Sequence, residues 1–460
     1  MLRLAVPVVV IQVGMMAMGV VDTVMVGHLS TQALAAVALG NLYFFVFAVF
    51  GMGTLMVLDP VVAQAVGAHD ERAVARGVQR GVVLAFLLAV PSAVLLCVAA
   101  PLMALARQPA EVVPLAAQYS AIMAPGVLPF FLFVVFRQSL QSLRHTREIV
   151  VSIVAANLVN AVLNWGLIFG RWGFPAMGVA GSAWATTISR WLLALAVLAL
   201  AWRELRPRLH PVLPEIRELS PLGRMLRLGL PIGMQYVLEF GAFAFVALMM
   251  GWLGTREMAG HQVAINLASL TFMVPLGVSD AASVLVGHAV GRGDLIGSRG
   301  AARAALACGA AFMSLTGIMF LTLPQPLARL YSNQPEVLFV AATLIPIAGV
   351  FQVFDGLQTV AGGILRGLGQ TRVAMLTNLV GYWLLGLPVS YLLGFRLGLG
   401  PAGLWYGLVL GLAVVASILL VRVRLGLARQ QPRVMIDLPG LDLEDDQAPR
   451  LPMPSSPGHD

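Results

Sequence analysis

The sequence contains no lysine, so all 29 of its basic residues are arginines. This excludes a P-loop, whose lysine contacts nucleotide phosphates, and it excludes a Schiff-base lysine. A pump that carries its own ATP-hydrolysing motor is therefore excluded. The two cysteines, Cys97 and Cys308, are too few for a disulfide framework. The seven histidines show no HExxH pair and no metal-ligand spacing, so we expect no cofactor.

Charged residues of any kind are scarce. They make up 11% of the 460 residues, against about 25% in soluble proteins, whereas hydrophobic residues make up 59%. Apolar runs such as 81–101 and 192–202 need a non-aqueous solvent, which predicts a polytopic membrane protein. The net charge of +8 could suggest nucleic-acid binding, but an excess of arginine on the cytoplasmic side of a membrane explains it, and we predict no nucleic-acid partner.

Twelve apolar windows are long enough to cross a bilayer as helices. They lie near residues 4–26, 34–58, 80–105, 118–136, 150–169, 178–202, 227–251, 257–287, 302–323, 338–364, 373–395 and 401–421. The predicted fold class is an all-α polytopic membrane protein, with twelve transmembrane helices in two pseudo-symmetric six-helix bundles.

The arginines alternate between the two sides of the predicted membrane protein. Those on one side follow spans 2, 4, 6, 8, 10 and 12, for example Arg72, Arg76 and Arg80 after span 2. Connections on the other side hold one arginine each: Arg107, Arg171, Arg256, Arg329 and Arg396. Because cytoplasmic connections carry the excess of basic residues, we expect both termini in the cytoplasm.

The two halves of the chain repeat each other. Residues 2–7 (LRLAVP) match residues 226–231 (LRLGLP) at an offset of 224. The same offset pairs Gly27 with Gly251, Gly53 with Gly277, Gly67 with Gly291 and Asp70 with Asp294. Six spans return the chain to the side where it started, so the bundles are parallel copies related by an axis along the membrane normal.

The repeat and the composition divide the chain into four parts. We predict an N-lobe at 1–202 with helices 1–6, a cytoplasmic linker at 203–226, and a C-lobe at 227–430 with helices 7–12. Residues 431–460 are Pro-rich and acidic, which predicts a disordered cytoplasmic tail.

Two acids lie deep in the second half. Glu239 falls near the middle of span 7 and Asp355 lies inside span 10, although an ionised carboxylate at the bilayer centre costs about 2.5–3.5 kcal/mol. Their counterparts in the first half are Met15 and Phe130. Glu239 and Asp355 therefore predict a proton-coupling or Na⁺ site, the alternative being carboxyls that only bond to a neighbouring helix.

The first half has its own polar cluster. Asp22 lies near the outer end of span 1, and Asn160 and Asn164 share one face of span 5 at a matching depth. This arrangement predicts either a proton-regulated or cation-binding cluster or an interhelical hydrogen-bond clamp.

Other residues are weaker candidates. Asp59 and Asp280 are explained by their places near helix ends, whereas Arg190 is the only deep arginine and needs a partner. Further candidates for a substrate-binding polar cavity are Gln262 and Asn266, together with the phenylalanines beside the acids, which could hold an aromatic cation by cation–π attraction: Phe240, Phe351 and Phe354.

Several motifs together resemble the multidrug and toxic compound extrusion (MATE) family, in its NorM-like branch. These are residues 21–29 (VDTVMVGHL), 34–38 (LAAVA), 230–233 (LPIG) before Glu239, and 362–372 (GGILRGLGQTR) after Asp355. The resemblance covers residues 1 to about 425. Asp280 stands where the family pattern leads us to expect an uncharged polar residue.

The resemblance implies two lobes around a central cleft and antiport of cationic drugs or dyes against Na⁺ or H⁺. It places the family's C-lobe cation site on Glu239 and Asp355, and the N-lobe cluster on Asp22, Asn160 and Asn164. It further implies a monomer in the bacterial inner membrane. As a hypothesis, the coupling ion and the drug compete for the same negative charge.

Two competing functions make different demands on the sequence. A lipid-linked saccharide flippase shares the paired-bundle plan but needs several cations in its cleft for pyrophosphate. An integral-membrane enzyme needs a metal cluster, or a nucleophile with its base, and the sequence shows neither. We therefore expect a transporter and not an enzyme.

Overall fold

The computed structural model describes residues 1–105 and 108–437, and these form helices without any strand. Twelve helices are long and apolar enough to cross a membrane, which confirms the predicted fold class. In chain order they are α1 Leu2–Gly27, α2 Gln32–Gly67, α3 Glu71–Cys97, α4 Val113–Ser142, α5 Arg147–Phe169, α6 Val179–Leu200, α7 Leu219–Leu253, α8 Thr255–Gly291, α9 Leu295–Thr322, α10 Pro335–Gly367, α11 Thr371–Arg396 and α12 Gly400–Gly426.

Local sequence explains where several helices begin and end. Asp70 and Asp294 each accept a hydrogen bond from the backbone N–H three residues later, so they cap α3 and α9. The internal repeat pairs these two aspartates, and both act as N-caps in the structure. Gly170 ends α5 at a φ of 66°, a left-handed conformation that glycine adopts without a steric penalty.

Two helices depart from regular α-helical geometry. In α4, Ala124–Gly126 forms a 3₁₀ turn, because Pro125 lacks the N–H that an α-helix needs. In α11, Leu379–Gly386 and Leu392–Arg396 are π-helical. Single π-helical turns are frequent at functional sites, and the first segment follows directly after Asn378, which reaches a candidate acid.

Short helices occupy some of the connections. They are Ala99–Leu105, Trp202–Leu209 and Pro324–Arg329, with a 3₁₀ turn at Pro214–Arg217. The predicted linker 203–226 is thus partly helical, and α7 already begins at Leu219. Residues 431–437 of the predicted tail lie against the helices. Residues 438–460, with the acidic cluster Asp442, Glu444, Asp445 and Asp446, lie outside the described residues, as does Arg107.

Among the described residues, the hydrophobic core consists of two large clusters and a small one of Ala36, Ala99, Met103 and Ala116. One of the large clusters is built mainly from α1–α6, with Phe131 and Phe133 among its largest buried side chains. The other is built mainly from α7–α12 around Trp405, Tyr382 and Phe351. We use N-lobe for α1–α6 and C-lobe for α7–α12.

The lobes meet at the ends of α2 and α8, on the side of the arginine-rich connections, which we call the arginine-rich side. A Cβ on Gly67 would lie 2.2 Å from the backbone oxygen of His288, and a Cβ on Gly291 would lie 2.0 Å from that of Gln64. Only glycine permits such an approach. The repeat offset of 224 exchanges these two contacts, so the interface obeys the pseudo-two-fold symmetry of the chain.

A second symmetric pair lies further along the same helices. A Cβ on Gly53 would lie 2.8 Å from Gly233 Cα, and a Cβ on Gly277 would lie 2.8 Å from Val9 N. The offset of 224 also exchanges these contacts. Packing of α2 on α7 and of α1 on α8 therefore closes the molecule on the arginine-rich side.

Candidate functional site

In the C-lobe, Glu239 and Asp355 come together through one glutamine. Gln358 lies one turn after Asp355 on α10 and donates through Nε2 to Glu239 Oε1 at 3.0 Å and to Asp355 Oδ1 at 3.2 Å. Asn378 of α11 donates through Nδ2 to Glu239 Oε2 at 3.4 Å. Asp355 is buried and Glu239 half-buried. Helices α7, α10 and α11 thus converge on one acid pair.

Oxygen atoms without partners adjoin this acid pair. Within the described part of the chain, Gln358 Oε1, Asn378 Oδ1 and the Tyr382 hydroxyl are buried and have no hydrogen-bond partner. A buried acceptor left unpaired costs about 1–3 kcal/mol, so such a concentration of free oxygens calls for an explanation. A cation held by oxygen ligands would satisfy them.

In the N-lobe, Asp22 is held by hydrogen bonds from two other helices. Asn164 Nδ2 of α5 donates to Asp22 Oδ1 at 2.6 Å, and Thr186 Oγ1 of α6 donates to Asp22 Oδ2 at 2.6 Å. Asn160 Nδ2 lies 3.5 Å from the same threonine hydroxyl. The three residues expected to cluster therefore do so, and Thr186 is a fourth member that no sequence pattern indicated.

A central cavity of about 660 Å³ lies beside this cluster and between the lobes. Most of its lining comes from α1, α2, α4, α5 and α6, and three C-lobe residues complete it: Phe240, Met273 and Leu276. The walls are rich in methionine and phenylalanine, side chains that adapt to flat apolar ligands. The repeat counterparts of the acid pair, Met15 and Phe130, are part of this lining.

A separate small cavity adjoins Glu239 but not Asp355. Glu239 and Gln358 line it together with Tyr236, Ser279 and residues of α10. It shares Leu276 with the central cavity, so one side chain of α8 contacts both spaces.

Arg190 of α6 projects into the central cavity. Its guanidinium carbon lies 3.8 Å from the centre of the Phe44 ring and 5.5 Å from that of Phe130. Nη1 reaches the Met123 sulfur at 4.0 Å. The partners of Arg190, which could not be identified from the sequence, are therefore the aromatic rings of Phe44 and Phe130. Among the described residues, Arg190 forms no ion pair.

The expectation for the phenylalanines beside the acids needs a correction. Phe240 lines the central cavity and packs against Phe45, with ring centres 5.2 Å apart. Phe351 is 1% exposed and packs against Trp405 in the C-lobe core, and Phe354 packs against the same core. On α10 these two rings point away from the cavity, because the helix turns its apolar face to the rest of the lobe.

Gln262 and Asn266 also lie elsewhere than expected. Gln262 is exposed, Asn266 is half-buried, and the first donates to the second at 3.1 Å. Neither is among the residues that line the central cavity. A spacing of four residues predicted their shared helix face correctly, but not the direction in which that face points.

Asp59 and Asp280 are not helix-end acids in contact with water. Arg366 Nε donates to Asp59 Oδ2 at 2.9 Å, and Arg366 Nη2 donates to Asp280 Oδ1 at 2.9 Å. Both carboxylates are 1% exposed. Because Asp59 belongs to α2 and Arg366 to α10, this buried triad joins the two lobes.

The triad extends into the N-lobe. Gln12 of α1 donates through Nε2 to Asp280 Oδ2 at 3.0 Å and accepts from Arg137 Nη1 at 3.5 Å. Arg80, Arg137 and Arg366 are buried inside the protein, and it stays a prediction that Arg190 is the only arginine deep in the membrane. Their positions near helix ends suggested exposure, but Arg137 and Arg366 lie in the network that joins the lobes, and Arg80 bonds to Asp437 and to the backbone of Glu215.

Sequence reasoning missed several site residues. Gln358 follows Asp355 by three positions, so the shared helix face was a usable signal. Asn378, Thr186 and Tyr382 gave no such signal, because their roles depend on how neighbouring helices are rotated.

Two repeated bundles of six helices, with buried carboxyls in each and a cavity between them, define a membrane transporter. The family model MatE matches residues 7–166 and 231–392, and the chain belongs to the MATE family. This confirms the resemblance seen in the sequence motifs. The chain is accordingly a transporter and not an enzyme.

Individual relatives agree with this assignment. The multidrug resistance protein NorM of Burkholderia vietnamiensis is 40% identical over 423 residues, which cover 91% of each chain. The probable multidrug resistance protein NorM of Rhizobium meliloti is 37% identical over 427 residues, with 91% of each chain covered. The fold is similar to that of the eukaryotic MATE transporter AtDTX14, with a TM-score of 0.85, 24% identity, and coverage of 94% of this chain and 98% of that one.

Proposed function

We propose that the protein is a secondary active multidrug efflux antiporter, which exports cationic and aromatic compounds in exchange for Na⁺ or H⁺. The observation that carries this proposal is the cluster of Glu239, Gln358 and Asp355, in which two carboxyls and unpaired oxygens face one another within the membrane. Ionisable groups at this depth are costly and typical of ion pathways. The names of the NorM relatives support drugs as the exported class.

The proposed orientation places both termini in the cytoplasm of a bacterium, with the twelve spans in its inner membrane. The arginine-rich side supports this orientation, because basic residues accumulate in cytoplasmic connections. The lobes meet on that side, so in this structure the cavity would face the outside. We expect the monomer to contain the complete pathway.

The geometry favours indirect coupling between ion and drug. Asp22 lines the central cavity, whereas Glu239 and Asp355 are not among the residues that line it. Ion binding at the acid pair would therefore act on the drug site through α7 and α8, where Phe240 and Leu276 border the cavity. Linkage still requires that each ligand lower the other's affinity by the same factor.

Transport in proteoliposomes tests this proposal. Purified protein would be reconstituted, and movement of ethidium measured under a Na⁺ gradient and, separately, under a pH gradient. We expect ethidium to move against its own gradient under at least one of them. If neither gradient drives ethidium in correctly inserted protein, the antiport proposal is overturned.

A further inference from the structure

Arg190 introduces a positive charge into a cavity that is proposed to accept cations. The residue is half-buried and lines the cavity, so its guanidinium is accessible to whatever occupies that space. Its guanidinium contacts the rings of Phe44 and Phe130 and the sulfur of Met123, and it interacts electrostatically with Asp22 without forming an ion pair.

These contacts leave the charge incompletely compensated. An arginine at the centre of a membrane helix is costly to insert into the bilayer. Cation–π contacts offset only part of that cost, and a thioether sulfur is a weak acceptor. The guanidinium has five N–H donors, and aromatic faces do not satisfy donors that lie in its plane.

Among the described residues that line the cavity, the one carboxylate already accepts hydrogen bonds from other side chains. Asp22 accepts from Asn164 through one oxygen and from Thr186 through the other, both at 2.6 Å. Asp22 and Arg190 thus line the same cavity without a direct ion pair between them. The wall presents separate negative and positive positions to one ligand.

We propose that Arg190 is an anion-recognition residue, which binds the carboxylate of aromatic substrates that also carry a cationic group. The aromatic rings of Phe44 and Phe130 would hold the guanidinium in place, so that its N–H edge remains available for a two-point contact with a carboxylate. This inference rests on the proposed function, since it assigns part of the exported compound to one wall of the cavity.

The test uses two dyes that differ only at the carboxyl group. Rhodamine 110 carries a free carboxylate on a cationic xanthene, and rhodamine 123 is its methyl ester. Binding to purified protein would be followed by fluorescence polarisation for wild type, R190Q and R190K. The control is R171Q, because Arg171 is exposed and lies over the Trp165 ring at 6.0 Å, outside the cavity lining.

We expect R190Q to weaken rhodamine 110 binding about tenfold or more, because a charge-assisted hydrogen bond contributes about 1.5–3 kcal/mol. Binding of the ester should change little, which also shows that R190Q is folded. R190K should retain part of the wild-type affinity for rhodamine 110, and R171Q should retain all of it. Equal loss of both dyes, or no loss of rhodamine 110, would overturn the inference.

Transport separates this inference from the proposed function. Suppose that wild type transports rhodamine 123 against its gradient, but the ratio of rhodamine 110 to rhodamine 123 transport is the same in wild type and R190Q. The proposed anion site is then wrong, and the antiporter proposal stands. Suppose instead that neither dye is transported, but R190Q weakens the binding of rhodamine 110 and not that of rhodamine 123. The proposed anion site then stands, and the antiporter proposal is wrong.

Discussion

A single arginine side chain, Arg366, forms ion pairs with two buried carboxylates that come from different lobes. Asp59 and Asp280 each lie 2.9 Å from its guanidinium, and all three side chains are at most 6% exposed. Buried ion clusters gain little net stability over apolar residues of the same shape, but removing one member is costly. We therefore expect that removing Arg366 alone lowers the free energy of unfolding by more than the intact triad contributes to it.

We predict that R366M destabilises the protein by about 3–5 kcal/mol, because it leaves two carboxylates buried side by side. Thermal unfolding of the detergent-solubilised protein would measure the loss. The triple variant D59N/R366M/D280N is the matched control, since it removes all three charges together. It should be closer to wild type than the single variant, and a triple variant that is as unstable as R366M would contradict this reading.

At this scale, the sequence singled out three acids inside apolar runs, but it did not show that Asp59 and Asp280 are buried or what any of these acids contacts. Hydropathy located Glu239, Asp355 and Asp22, because a carboxyl inside an apolar run stands out. The bridging role of Gln358 and the pairing of Arg366 depend on helix rotation and on contact between lobes. Hydropathy along one chain does not contain that information.

Among the elements, residues 427–437 connect the two lobes on the arginine-rich side; we call them the C-terminal strap. In the C-lobe, Arg299 Nε donates to Leu427 O at 2.7 Å. In the N-lobe, Val434 N donates to Gln64 Oε1 at 2.7 Å. Further ion pairs of the strap join Arg433 to Asp70, and Asp437 to Arg76 and Arg80.

Asp70 gives the strap a dependence on pH. Burial alone would raise the pKa of Asp70, but the hydrogen bond from Ala73 N–H and the ion pair with Arg433 hold this pKa below its ordinary value. A carboxyl whose pKa is lower when folded stabilises the protein above its unfolded pKa. That stabilisation is lost as the pH falls through the folded pKa.

We predict that D70N lowers stability at pH 7 by about 0.2–1 kcal/mol, as expected for a partly exposed ion pair. The difference from wild type should shrink and then vanish as the pH falls through the folded pKa of Asp70, because a protonated carboxyl no longer pairs with Arg433. Asn caps a helix as well as Asp, so D294N, which changes the symmetric cap, is the control and should have little effect. Equal effects of D70N and D294N, measured as melting temperatures, would contradict a role for Arg433.

Helix positions were predictable because each span is a long apolar run between polar connections. The π-helical parts of α11 and the early start of α7 at Leu219 were not, since propensity and hydropathy do not encode them. The ordered contacts of 431–437 were equally hidden, because polar residues next to proline are typical of unstructured tails.

For the whole molecule, the repeated glycines acquire a physical meaning. Gly67 and Gly291 permit the reciprocal contacts of α2 with α8, and Gly53 and Gly277 permit the next pair. The repeated glycines were visible in the sequence, but only the contact between the lobes explains why glycine is needed at these positions. Not every repeated glycine belongs to it, since a Cβ on Gly251 would meet no atom within 4 Å.

We predict that G291A blocks transport, because its Cβ would lie 2.0 Å from the backbone oxygen of Gln64 and the lobes could not close on the arginine-rich side. G251A, a change at another repeated glycine with open space around it, should transport at the wild-type rate. Dye efflux from proteoliposomes with equal amounts of inserted protein would compare the two. Normal transport by G291A would show that this closure is not part of the cycle.

The most direct test of the account is ion-driven transport by D355N. Asp355 is proposed to bind the coupling ion with Glu239, so its neutral isostere should reduce dye transport to that of protein-free liposomes under both Na⁺ and pH gradients. E336Q, at the exposed start of the same helix, should keep the wild-type rate. Wild-type transport by D355N under either gradient would contradict the account.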